Sequence, residues 1–73
     1  MLKYVPFEEK LTDEYIGKYI TYGIELFFEG KLIDRISDVD TDREGVETLC
    51  RLCNDLKLSP IHFHEVVEDY LNK

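Results

Sequence analysis

Residues 18–37 read KYITYGIELFFEGKLIDRIS, and this stretch decides the fold. Ile20, Tyr22, Ile24 and Leu26 recur at every second position, with Thr21, Gly23 and Glu25 between them. A period of two marks a β-strand with one buried face, because successive side chains leave a strand on opposite sides. Gly30, a residue suited to left-handed backbone, then leads directly into a second apolar segment, 31–37.

The two segments form a hairpin whose register can be argued. If Gly30 takes the left-handed position of a three-residue loop with a bulge, Leu26 opposes Leu32 and Tyr22 opposes Ile36. That pairing gathers Ile20, Tyr22, Ile24, Leu26, Leu32 and Ile36 on one face. A two-residue loop instead sets Phe27 opposite Leu32 and mixes the apolar residues between faces. A slip of one residue exchanges the faces entirely, so the bulged loop is expected. Asp34 is the polar residue that this register leaves among apolar neighbours.

Upstream, segment 2–12 contains Tyr4, Val5 and Phe7, and Pro6, which lacks an N–H, fits an edge strand. Thr12-Asp13-Glu14 reads as a turn. The expected strands are therefore about 2–12, 18–28 and 31–37. Gly23 in mid-strand marks a bulge or a close backbone approach.

Downstream of residue 40 the apolar period becomes helical. Thr41-Asp42-Arg43-Glu44 fits a capping box, in which the Thr41 hydroxyl serves the N–H of Glu44 and the Glu44 side chain reaches back. Behind it, Val46, Leu49, Cys50, Cys53 and Leu56 share one helical stripe. A second helix opens at Ser59, with Pro60 at the first helical position and Leu58 placed to staple onto Phe63. Phe63, Val66, Val67, Tyr70 and Leu71 form its apolar side, while Glu65, Glu68, Asp69 and Asn72 face out. The expected helices are about 42–56 and 60–72. The short link between them makes an antiparallel or steeply crossed pair. Neither half could bury a core alone. The expectation is a single α+β domain over 1–73: a three-stranded antiparallel meander followed by two helices packed on one sheet face.

Seventy-three residues allow one modest core, and 44% hydrophobic with 34% charged residues is the composition of a folded chain. Nine Lys and Arg against 16 Asp and Glu leave a net charge of -7. Phosphate backbones are held by clustered cations, and none cluster here, so neither nucleic acid nor an anionic membrane is an expected partner. The acidic balance suits solubility or a basic protein partner. Residues 1–6 lack the apolar run of a signal peptide, and no stretch approaches the ~18 apolar residues of a membrane span. A cytoplasmic location is expected, with Cys50 and Cys53 as free thiols.

Cys50-x-x-Cys53 followed by His62 and His64 has the ligand types that zinc prefers. A small zinc-binding protein using Cys50, Cys53 and a histidine is the alternative reading. Two arguments oppose it. Residues two apart on a helix point about 200° apart, so His62 and His64 cannot both face one metal. Both cysteines also lie in an apolar stripe, where Cys acts as a small hydrophobe. The pair lies too deep in its helix for the N-terminal dipole to activate a redox thiol. His64-Glu65-x-x-Glu68 lacks the second histidine of a zinc-protease motif, so His62 and His64 are expected to be packing or surface residues, and a His64–Glu68 pairing at i,i+4 would add only about a few tenths of a kcal/mol. Ser37 and Ser59 are the only serines, and the glycines at 17, 23, 30 and 45 form no phosphate loop. No catalysis, metal or cofactor is expected.

The opposite sheet face carries Tyr19, Phe27 and Ile33 beside Thr21, Glu25 and Arg35. If helices cover only one face, these apolar groups meet water or a partner. Tyr19, Phe27 and Ile33 are the candidate interface. A domain this small with no disulfide gains core by pairing with a second copy, so a homodimer is expected alongside an unknown protein partner. The function expected is a non-catalytic protein-interaction or regulatory module.

At Tyr22-Gly23-Ile24, Ile33-Asp34-Arg35-Ile36-Ser37, Leu58-Ser59-Pro60-Ile61-His62 and Val66-Val67-Glu68-Asp69-Tyr70-Leu71, the chain resembles a family. It is similar to small proteins of clostridia and related Firmicutes grouped as a domain of unknown function, over about residues 19–71. The resemblance implies a stand-alone bacterial cytosolic domain and brings no activity, cofactor or catalytic residue with it.

Overall fold

Alternation in the first half and 3.6-residue periodicity in the second produce the expected order of elements. The computed structural model describes residues 1–72. Three strands, β1 (Leu2–Asp13), β2 (Gly17–Phe28) and β3 (Lys31–Asp40), form an antiparallel sheet in the order β1-β2-β3. Helix α1 (Arg43–Asp55), a 3-10 turn (Pro60–His62) and helix α2 (Phe63–Leu71) follow. Both helices pack on one face: α1 meets all three strands, and α2 packs over β3. No helix among the described residues is long and apolar enough to cross a membrane.

The β2–β3 register corrects the expected one. The loop has two residues, Glu29 (φ 51°) and Gly30 (φ 80°), between paired Phe28 and Lys31. Positive φ at both central residues makes this a type I′ turn, whose twist matches that of the flanking strands. Phe27 therefore faces Leu32, but Ile33 is then an extra residue, and beyond it Leu26 faces Asp34 and Ile24 faces Ile36. The bulge restores the apolar alignment that the tight loop would lose. It leaves Leu32 half-exposed rather than in the core, and Ile20, beyond the end of the β2–β3 pairing, is half-exposed too. Asp34 is tolerated on the helix-bearing face because His64 Nε2 of α2 lies 2.8 Å from its carboxylate.

The core gathers Tyr4, Ile24, Leu26, Val39, Val46, Leu49, Cys50, Cys53, Phe63 and Val67. Tyr4 and Phe63 meet edge to face at 5.2 Å, and the Tyr4 hydroxyl donates to the Leu58 carbonyl at 2.6 Å, which ties the interhelical link to β1. The helical stripes are those expected except at their ends, where Leu56 and Leu71 are exposed. The expected capping box is absent. Asp42 is the N-cap of α1 and makes no side-chain cap bond. Asp40, two residues earlier, accepts the Asp42 N–H at 3.0 Å and the Tyr70 hydroxyl at 2.6 Å. The last turn of α2 thus holds the segment leading into α1, without capping the helix. Ser59 likewise makes no side-chain cap bond, although Pro60 stands in the first turn as expected.

Candidate functional site

Odd-numbered residues of β1 and β2 point away from the helices, so Lys3, Val5, Phe7, Glu9 and Leu11 share the uncovered face with Tyr19, Thr21, Gly23, Glu25 and Phe27. Gly23 shapes its centre. A Cβ there would stand 2.5 Å from the Ile36 carbonyl oxygen and 2.6 Å from the Phe7 ring. With only hydrogen at that position, Phe7 lies across β2, and the Arg35 guanidinium covers its other side, 4.2 Å from the ring centroid.

Next to Phe7, Glu9 also reaches across β2. Its carboxylate accepts the Ser37 hydroxyl at 2.7 and 2.8 Å and the Asp38 N–H at 3.0 Å, and lies 3.6 Å from the Arg35 guanidinium. Asp38, in left-handed backbone at φ 52°, accepts hydroxyls from Thr21 at 2.7 Å and Tyr19 at 3.1 Å. The second irregularity of the β2–β3 pairing, between Tyr22 and Ile24, makes this possible by turning Asp38 toward the uncovered face. Burial first, and then the neighbouring Asp38 carboxylate, raise the Tyr19 hydroxyl above its ordinary value. The middle of the face is thus a closed set of aromatic and hydrogen-bonded groups.

The three candidate interface residues do not form one patch. Tyr19 and Phe27 lie eight residues apart on β2, roughly 27 Å at strand rise. Tyr19 is tied into the Asp38 cluster. Phe27 stands at the β2–β3 hairpin end, opposite Leu32, and Ile33 is the bulged residue beside it, 49% exposed. Leu32, half-exposed there, was not singled out from sequence because the expected register buried it. Val5, one strand over, completes an apolar end of the face.

Side chains occupy some of the hydrogen-bonding positions on the sheet's two free edges. On β1, Asn54 of α1 accepts the Tyr4 N–H at 2.7 Å and donates to the Tyr4 carbonyl at 2.9 Å. Pro6, the next outward-facing residue, has no N–H to offer, as expected of an edge strand. On β3, the Arg35 N–H is taken by the Asp34 carboxylate at 2.7 Å.

The cysteines and histidines are held apart. Cys50 and Cys53 are buried, unbridged core residues of α1, whereas His62 and His64 are exposed at the start of α2. Burial, with smaller contributions from Cys53 and Glu47, pushes the Cys50 thiol up to about 12, and burial also raises Cys53. Among the described residues, no three His, Cys, Asp or Glu side chains are gathered as metal ligands would be.

Comparison with curated proteins finds no match, and comparison with solved structures finds none. A family match does exist, and it extends the resemblance seen at residues 19–71 through β1 to the whole chain. Its model covers residues 1–73, and the chain belongs to the family of unknown function DUF6514.

Proposed function

We propose that this chain is a non-catalytic protein-interaction or regulatory module of the bacterial cytoplasm, docking through its uncovered sheet face and most simply to a second copy of itself. The charge of that face carries the reading. Lys3 and Arg35 stand against Glu9, Asp13, Glu25 and Asp38, so the face holds two net negative charges out of the chain's seven. The remaining acidity lies on the helices, edges and turns, where it does not oppose face-to-face approach. At physiological salt, charges beyond about 8 Å are largely screened.

Size and edge chemistry support the same surface. The molecule measures 39 × 27 × 19 Å, and its broad side is of the order of the about 800 Å² per partner that a standard interface buries. The Asn54, Pro6 and Asp34 arrangements disfavour strand-to-strand addition, which leaves the face as the route to association. Val5, Phe27, Leu32 and Ile33 supply its apolar end.

Light scattering and sedimentation over a concentration series test this. A dimer is expected, converted to monomer by Phe27→Glu or Ile33→Glu with the circular dichroism spectrum retained. A monomer at several hundred micromolar in physiological salt would end the dimer reading.

A further inference from the structure

A concavity of about 710 Å³ lies at the hairpin end on the helix-bearing side, lined by Met1, Leu2, Lys3, Phe28, Asn54 and Lys57. It opens where the sheet extends past the helices: Leu2 pairs with Phe28, and Phe28 remains 49% exposed. The Lys3 side chain leaves β1 on the other face, so Lys57 is the side-chain cation of the lining, and no anion lines it, in a chain whose acidic residues outnumber basic ones 16 to 9. The nearest carboxylates are accounted for: Glu29 is ion-paired with the amino terminus, and Asp55 is exposed outside the lining.

Lys57 is an unusual choice for its position. It follows α1 in left-handed backbone (φ 50°), its N–H bonded to the Asn54 carbonyl and the Leu58 N–H to the Cys53 carbonyl. This is the Schellman ending of a helix, where glycine is the favoured residue because a Cβ is strained. A strained lysine at the lip of this concavity points to an ammonium that serves something other than the fold. Those same two bonds occupy terminal carbonyls of α1, which weakens the negative helix end facing the site. Asn54 spends one N–H and its oxygen on Tyr4 and keeps a second N–H.

We propose that this concavity is a binding site for an amphiphilic carboxylate, its aliphatic body against Met1, Leu2 and Phe28 and its anionic head at Lys57. The volume falls in the about 300–1,000 Å³ range of small-molecule sites, and an apolar wall with a few polar groups is their usual make-up. The site faces away from the uncovered sheet face and is independent of any association there.

Decanoate, decanol and decyltrimethylammonium, each below its micelle concentration, are the probes, read by amide chemical shifts of the full chain. Decanoate should perturb Leu2, Lys3, Phe28, Asn54 and Lys57, bind more tightly than decanol, and outcompete the cationic analogue. Lys57→Gly is the decisive variant because it relieves the strained backbone. It should raise thermal stability, weaken decanoate roughly threefold, as an exposed ion pair would, and leave decanol unchanged. Phe28→Asp should abolish binding of both. Decanoate affinity unchanged in Lys57→Gly, equal binding of the cationic analogue, shifts centred on Phe7 or Phe27, or no binding in the millimolar range would each overturn the proposal. So would a dimer that Phe28→Asp dissociates, since the concavity would then belong to a protein interface.

Discussion

Asn54 brackets the backbone of Tyr4, accepting its N–H at 2.7 Å and donating to its carbonyl at 2.9 Å, so that one side chain of α1 stands where a fourth strand would pair. Fifty residues separate the two in sequence, and the contact joins the outer strand to the end of the first helix. Asn54→Ala leaves both backbone groups without a protein partner, and a part-buried polar group left unpaired costs about 1–3 kcal/mol. Urea unfolding should show a loss in that range. Asn54→Asp, which keeps the acceptor and drops the donor, should fall between the two. A loss under about 0.5 kcal/mol for Asn54→Ala would mean that water substitutes fully.

Gly23 permits Phe7 and Glu9 to cross β2. Gly23→Ala places a methyl 2.5 Å from a backbone oxygen and 2.6 Å from the Phe7 ring, so the strands must separate. Overpacking of this kind costs about 1–3 kcal/mol. Pairing Gly23→Ala with Phe7→Ala removes the ring but not the Ile36 carbonyl. The double variant should therefore recover little beyond the loss expected from Phe7→Ala itself. Full rescue in the double-mutant cycle would show that the ring alone sets the limit.

The Tyr70–Asp40 bond ties stability to pH at both extremes. The Tyr70 hydroxyl bond and the Asp42 N–H hold the Asp40 carboxyl below its ordinary value, while the Asp40 carboxylate, followed by burial, pushes Tyr70 up to about 12. For Asp40, depressed in the folded state, the contribution is present above about pH 3.8 and lost as pH falls through the lower folded value. For Tyr70, raised in the folded state, it is complete below pH 10 and lost as pH rises toward 12. The stability difference between the native chain and Tyr70→Phe should accordingly be flat through neutrality and shrink in both windows. A difference that stays constant from pH 8 to 12 would show that the phenol does not bond the carboxylate in solution.

Burial raises both thiols, so at pH 8 neither Cys50 nor Cys53 offers much thiolate and neither is accessible. Dithiodipyridine should react at the rate of global unfolding and accelerate steeply in urea. Immediate titration of one thiol by the native protein would place that cysteine at the surface.

Local signals in the chain account for much of this structure. The alternation over Ile20, Tyr22, Ile24 and Leu26, the missing N–H of Pro6 and the stripe Val46, Leu49, Cys50 and Cys53 are each satisfied within a few residues. They determine element type, element order and the face turned inward, because side-chain periodicity is a property of the element itself. Gly23 also announced itself, as a glycine with no local reason to stand in mid-strand.

The tertiary structure alone decided the register, the caps and the shape of the uncovered face. A two-residue turn followed by a bulge at Ile33 and a longer loop with its own bulge align nearly the same apolar residues. What separates them is the side that Leu32 takes, opposite Phe27 rather than Leu26, since both place Asp34 on the helix-bearing face, where it meets His64 from thirty residues away. Thr41 has the local signature of a cap, but the entry to α1 is held instead by Asp40, which accepts from Tyr70 of the second helix. Glu9, Ser37, Asp38, Tyr19 and Thr21 form one cluster only because three strands bring them side by side. Contacts of this kind leave no periodic trace in the sequence, since each depends on the chain having already folded around it.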